Sequence, residues 1–119
     1  MARQTVRVLN TTRHTVLGDR IDVAETSLSR MVGLLGKQAL EPGTGLIIFP
    51  SQAVHTVGMH VPIDIVFVDR NGHVVHTQSA LPPNRVTGLH WRARWVLELP
   101  SGAIAQTSTT VGDELVIEG

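Results

Sequence analysis

At 119 residues the chain has the length of one domain, and a chain of that size buries roughly two thirds of the surface its unfolded form exposes. Hydrophobic residues at 42% against charged residues at 17% exclude a disordered chain. Ten Lys and Arg balance ten Asp and Glu, so no global field draws in nucleic acid or an anionic membrane, and any polyanion site has to be local.

In chain order, Val6 and Val8 alternate with polar residues, and "TVLGDRIDVAET" follows with Gly18-Asp19 between two β-prone runs. A pair of strands or a hairpin is expected there. In "ETSLSRMVGLLGKQAL", Leu28, Met31, Val32 and Leu35 fall at i, i+3, i+4 and i+7 behind a Thr26 or Ser27 cap. That spacing predicts a short amphipathic helix, about Ser27 to Leu35, closed near Gly36. "EPGTG" is a turn cluster that delivers the chain into the apolar run Leu46 to Pro50, and Ile63 to Val68 is a second such run. Asn71-Gly72 between that run and "HVVHTQS" marks a β-hairpin. "LPPNRVTG" has to be a loop, since adjacent prolines lack donors for a ladder. "ARWVLELP" reads as a strand, "SGAIAQTSTT" as one or two helical turns, and "VGDELVIEG" as a closing strand. The expected fold is a single α+β domain over residues 1–119, with a mostly antiparallel, curled or barrel-like sheet packed on the Ser27 to Leu35 helix.

"SRMVGLLG", "GTGLIIFP", "HTVGMHVPIDIVFVDRNGHVV", "WVLELPSG" and "VGDELVI" resemble, in order and spacing, the bacterial and archaeal family called domain of unknown function 192. The resemblance runs from the predicted helix onward. It implies a small β-rich α+β domain, often with an N-terminal signal or anchor in its relatives, and no established activity. Many members carry an aromatic-Trp-Met-Lys-Asn-Thr segment before Pro-Leu-Asp. Here the chain reads His55-Thr56-Val57-Gly58-Met59-His60.

The chain has no cysteine, which removes disulfides, thiolate metal sites and cysteine nucleophiles. "MARQTVRVLN" lacks the apolar core of a signal peptide, and no apolar run approaches the 18 or so residues of a membrane span. A cytoplasmic location is expected for the chain as written, and an extracytoplasmic one if an export signal has been removed. The six histidines would make the net charge positive below about pH 6.5.

Asp64 is the first candidate site residue. Within the extended run it shares a face with Val66 and Val68, while Ile63, Ile65 and Phe67 share the other. Both faces are apolar, so the carboxylate has to find partners. The structural alternative has it accept N–H groups from the Thr56 to Val61 loop, or pair with Arg30 or a histidine. The functional alternative makes it a general base or ligand anchor. His55 and His60 are five apart and His73 and His76 three apart, which puts each pair on opposite strand faces. No metal or other cofactor is therefore expected unless His55, His60, His76 or His90 converge from separate segments. In "HWRARW", Trp91, Ala93 and Trp95 would face one way in a strand and Arg92 and Arg94 the other, so that tryptophan could stack on a flat ligand while the arginines meet an anion; Trp95 is expected in the core, and Trp91 is left open between core and ligand.

These residues point to a small binding or accessory module rather than an enzyme, since no nucleophile, base and orienter set is recognisable. The expected ligand cleft lies where the His55 to His60 loop meets Asp64 and "GLLG". His55, Thr56 and Asp64 supply its hydrogen bonds, Met59 an apolar wall, and Trp91 a further ligand contact. The partner would be a small molecule or a protein, with no nucleic acid expected. A hydrolase pairing Asp64 with a histidine as acid and base, and a metal-handling protein built on converging histidines, are the alternatives.

Overall fold

The structure, a computed structural model, describes residues 5–24 and 41–119. The expected Ser27 to Leu35 helix, Arg30 and the "GLLG" segment lie outside the described residues. Among the described residues seven strands form one sheet: β1 (Thr5–Asn10), β2 (Thr15–Ala24), β3 (Thr44–Ile48), β4 (Ile63–Val68), β5 (Val74–Leu81), β6 (Trp95–Pro100) and β7 (Leu115–Glu118). A helix of five residues, α1 (Ala103–Thr107), stands between β6 and β7.

The spatial order is β5-β4-β6-β3-β2-β1-β7. Adjacent strands run antiparallel except β2 and β3, which are parallel, so the sheet is mixed. It curls without closing into a barrel. At the open seam the β4–β5 turn meets the approach to β7: Val74 donates its N–H to the Asp113 carbonyl (2.9 Å) and Leu115 to that of Gly72 (2.7 Å).

Alternation along the strands makes both faces of the sheet apolar. Val8, Ile21, Ile47, Val66, Leu97, Leu99, Ile104 and Leu115 meet in the hollow of the curl, drawn from β1, β2, β3, β4, β6, α1 and β7. On the other face Leu46, Ile48, Ile63, Ile65, Phe67 and Val96 pack under Val54, Met59 and Ala93. Every residue of β4 is buried, as a central strand with both faces covered requires.

One local feature differs from the expectation. Gly18-Asp19 does not end a strand; it lies inside the ten-residue β2. A Cβ at Gly18 would collide with the Ile21 side chain and stand 3.0 Å from the Gly43 carbonyl, so glycine there serves a close approach rather than a turn. In the Asn-Gly hairpin only Gly72 has positive φ (87°), and Asp69 Oδ1 braces the turn by accepting the N–H groups of Asn71 and His73, each at 2.9 Å. The antiparallel β4–β5 pair follows as expected.

Candidate functional site

Asp64 is fully buried on β4, on the face of Val66 and Val68, where α1 packs. Opposite it, β5 carries a bulge: Ile63 pairs with Leu81 and Ile65 with Gln78, leaving Ser79 and Ala80 against the single residue Asp64. Asp64 Oδ1 accepts the N–H of Ala80 (2.8 Å), whose φ is positive at 50°. Oδ2 accepts those of Gly102 (3.1 Å) and Ile104 (2.9 Å). The N-cap of α1, Gly102, has no side chain to offer, so the carboxylate of β4 does the capping from across the sheet. Asp64 thus takes backbone donors, as the structural alternative supposed, but from β5 and α1 rather than from the Thr56 to Val61 loop.

That loop crosses the opposite face. Thr56 is fully buried and ties it to the proline loop: its hydroxyl donates to the Pro82 carbonyl (2.7 Å) and accepts the Arg85 N–H (2.8 Å). Its own N–H donates to the Arg85 carbonyl (2.8 Å), and its carbonyl accepts the N–H of Asn84 (3.0 Å). The pairing continues through Thr87 N–H to the Val54 carbonyl (2.9 Å) and His90 N–H to that of Gln52 (2.8 Å). Residues 52–56 and 84–90 therefore form an antiparallel ribbon, with His55 directly opposite Val86. Met59 is buried in the core beneath it. His55 is half-buried, its Nδ1 accepting the Val57 N–H (3.2 Å).

The expected meeting of His55, Thr56 and Met59 with Asp64 does not occur in the contacts these residues make. A β-strand sends adjacent side chains to opposite faces, and the loop covers the face of Ile63 and Ile65. Trp91 is 75% exposed while Ala93 and Trp95 are buried in different clusters. The segment ahead of β6 is a turn, closed by Ala93 N–H to the His90 carbonyl (2.8 Å), so strand alternation holds only from Trp95 onward.

The sheet end formed by the close of β3 and the start of β6 gathers a different set. Pro50, Ser51, Gln52, Ala93 and Arg94 line an open cleft of about 330 Å³. The Arg94 guanidinium lies 4.8 Å from the centroid of the Phe49 ring. Beside the cleft, His76 of β5 and His90 of the ribbon stack face to face, centroids 4.2 Å apart and planes 17° apart, with His90 also 4.3 Å from the Phe67 ring. Burial first, and then the neighbouring His76, hold the His90 imidazole below its ordinary value. Of the four histidines named for convergence, these two meet. Their nearly parallel planes send the in-plane lone pairs alongside each other rather than toward one ion. Among the described residues no three His, Asp or Glu side chains gather as a metal-ligating group, and no imidazole is hydrogen-bonded to a carboxylate.

Glu98, on the ribbon-covered face of β6, is 1% exposed, and neither carboxyl oxygen has a hydrogen-bond partner among the described residues. Burial pushes its carboxyl up to about 8. In "VLEL" Glu98 stands among apolar residues on both faces, the same alternation that singled out Asp64. His90 and Arg94 gave no such signal, because hydrogen bonds to residues some forty positions away locate them.

No helix among the described residues is long and apolar enough to cross a membrane. A protein from Sinorhizobium meliloti 1021, named as a candidate transcription regulator, superposes with a TM-score of 0.79 at 18% identity, covering 98% of this chain and 94% of its own. One of unknown function from Novosphingobium aromaticivorans DSM 12444 gives 0.77 at 22% identity, covering 98% and 93%. Both likenesses are of fold alone. A UPF0127 protein of Thermococcus sibiricus is 28% identical over 123 residues, which span 91% of this chain and 72% of that protein. A family model, that of the uncharacterized ACR, COG1430 proteins, matches residues 7–117, and the chain belongs to that family, DUF192.

Proposed function

We propose that the domain is a small binding or accessory module, and that its ligand site is the cleft at Pro50 to Gln52 and Ala93 to Arg94, beside the loop that begins at His55. The observation that supports this reading is Arg94. Among the described residues it has no carboxylate partner, and it is held over Phe49 at the rim of a cavity of about 330 Å³. A guanidinium so placed fits a carboxylate or phosphate group on a small ligand. The Ser51 hydroxyl and the Gln52 amide, which now bond the carbonyls of Ala53 and Trp91, stand on the same rim and can turn toward a bound anion. Trp91 next to them offers a flat apolar surface. Asp64 belongs to the framework in this reading.

Calorimetric titration with inorganic phosphate, citrate and adenosine monophosphate tests it. At least one probe should bind, and Arg94→Gln should weaken that binding by about tenfold, the worth of one charged hydrogen bond, without lowering the melting temperature. Binding unaffected by Arg94→Gln, or no binding by any of the three, would overturn the assignment.

A further inference from the structure

None of the chain's ten carboxylate side chains falls between Phe49 and Ile63 or between Arg70 and Leu97. The ribbon is cut from these two acid-free stretches, so the only formal charges that it and the turn after it carry are those of Arg85, Arg92 and Arg94. The ribbon is also two-sided. Val54, Thr56 and Thr87 point into the protein and are buried, whereas Val86 is 75%, Leu89 69% and Trp91 75% exposed. Val57 beside them is about half exposed. Arg85 and Arg92 are interleaved with these apolar residues, are exposed, and make no ion pair among the described residues.

We propose that the exposed side chains of this ribbon and of the turn that follows it dock on a membrane containing anionic lipid, with Val86, Leu89 and Trp91 entering the headgroup region and Arg85 and Arg92 meeting lipid phosphates and carboxylates. Charge complementarity selects an anionic surface, and the protruding apolar side chains select a lipid one. Indole rings favour the interface between water and hydrocarbon, and arginine stems lie along apolar surface while their guanidiniums reach the headgroups. Nucleic acid would satisfy the arginines but would leave Val86 and Leu89 in water. Two arginines give an attachment that is reversible and sensitive to salt. This proposal does not depend on the Arg94 cleft.

Co-sedimentation of the full chain with phosphatidylcholine vesicles, with and without a minority of phosphatidylserine, tests it, read together with tryptophan emission. Trp95 is buried, so a blue shift on adding vesicles reports Trp91. The expected result is binding and a blue shift only with phosphatidylserine, both reversed by high salt. The double variant Arg85→Gln/Arg92→Gln should bind roughly thirtyfold more weakly, two arginines at their usual membrane worth. Leu89→Ser/Trp91→Ser should abolish binding, and both variants should melt as the parent does because all four side chains are exposed. Equal binding to both vesicle types, or binding indifferent to Leu89→Ser/Trp91→Ser, overturns the proposal. So does an absence of vesicle binding, and equally a partition to a single-stranded oligonucleotide or an acidic peptide in preference to the vesicles.

Discussion

Asp64 and Glu98 are two buried carboxyl groups in neighbouring strands, one residue out of register and so on opposite faces, and their surroundings give them opposite fates. Asp64 faces the hollow of the curl, where a bulge and a helix end supply three N–H donors. Asp64→Asn keeps the shape but sets an amide donor against some of those donors, so stability should fall by about 2–4 kcal/mol in urea denaturation. A loss under about 1 kcal/mol would mean that the bulge and helix are held by other contacts. Glu98 has no donors among the described residues, and its carboxyl titrates near 8 in the folded chain against an ordinary 4.5. Between those values the folded state binds more protons than the unfolded one, so stability falls as pH rises through that window and levels off above it. Glu98→Gln, neutral at every pH, should match the parent near pH 4, exceed it increasingly up to about pH 8 and keep that margin above it, by a few kcal/mol at most. Parallel stability curves for the two proteins would show that Glu98 is charged in the fold. Alternation made the burial of Asp64 legible in the sequence, but its donors were not, because a bulge on one strand and a helix end 40 residues away supply them.

The elements that local pattern determines lie where the sequence places them. β4 spans Ile63–Val68, the Asn-Gly turn joins it to β5, and α1 forms within "SGAIAQTSTT". The ribbon of residues 52–56 and 84–90 was not legible, since its two sides lie some thirty residues apart, the second follows Pro82-Pro83 and contains Gly88, and neither shows an apolar period. Four hydrogen bonds converge on Thr56 from Pro82, Asn84 and Arg85, and this threonine holds the ribbon shut over the core. Thr56→Val keeps the volume and removes the hydroxyl, leaving the Arg85 N–H and the Pro82 carbonyl without their partner. A loss of about 1–3 kcal/mol is expected. Hydrogen exchange should locate it: the amides of Asn84, Arg85 and Thr87 should exchange faster, while those of β4 and β6 keep their protection. Uniform acceleration across the sheet would show instead that the ribbon and sheet open as one unit.

At the scale of the molecule, an uncapped seven-stranded curl would leave its two ends apart, and Asp113 is placed at the seam where they meet. Its backbone carbonyl takes the N–H of Val74 on one end of the sheet, while its carboxylate holds the other. Oδ2 accepts the Asn10 side-chain amide (3.0 Å), the Thr110 N–H (3.0 Å) and Arg13 Nε (3.1 Å). Burial alone would raise this carboxyl, but the hydrogen bonds from Asn10, Thr110 and Arg13 outweigh it and hold the group below its ordinary 3.8. A lowered carboxyl stabilises the fold fully above the unfolded value, and that contribution drains away as pH falls through the folded one. Asp113→Ala should therefore cost about 2–4 kcal/mol near neutral pH, from the orphaned Asn10 amide and Thr110 N–H as well as the lost charge. In urea denaturation the gap between variant and parent should narrow as the pH is lowered through the acid range in which the parent carboxyl takes up its proton. A gap that stays constant across that range would assign the loss to packing and leave the closure of the sheet to the backbone bonds of Gly72, Val74 and Leu115.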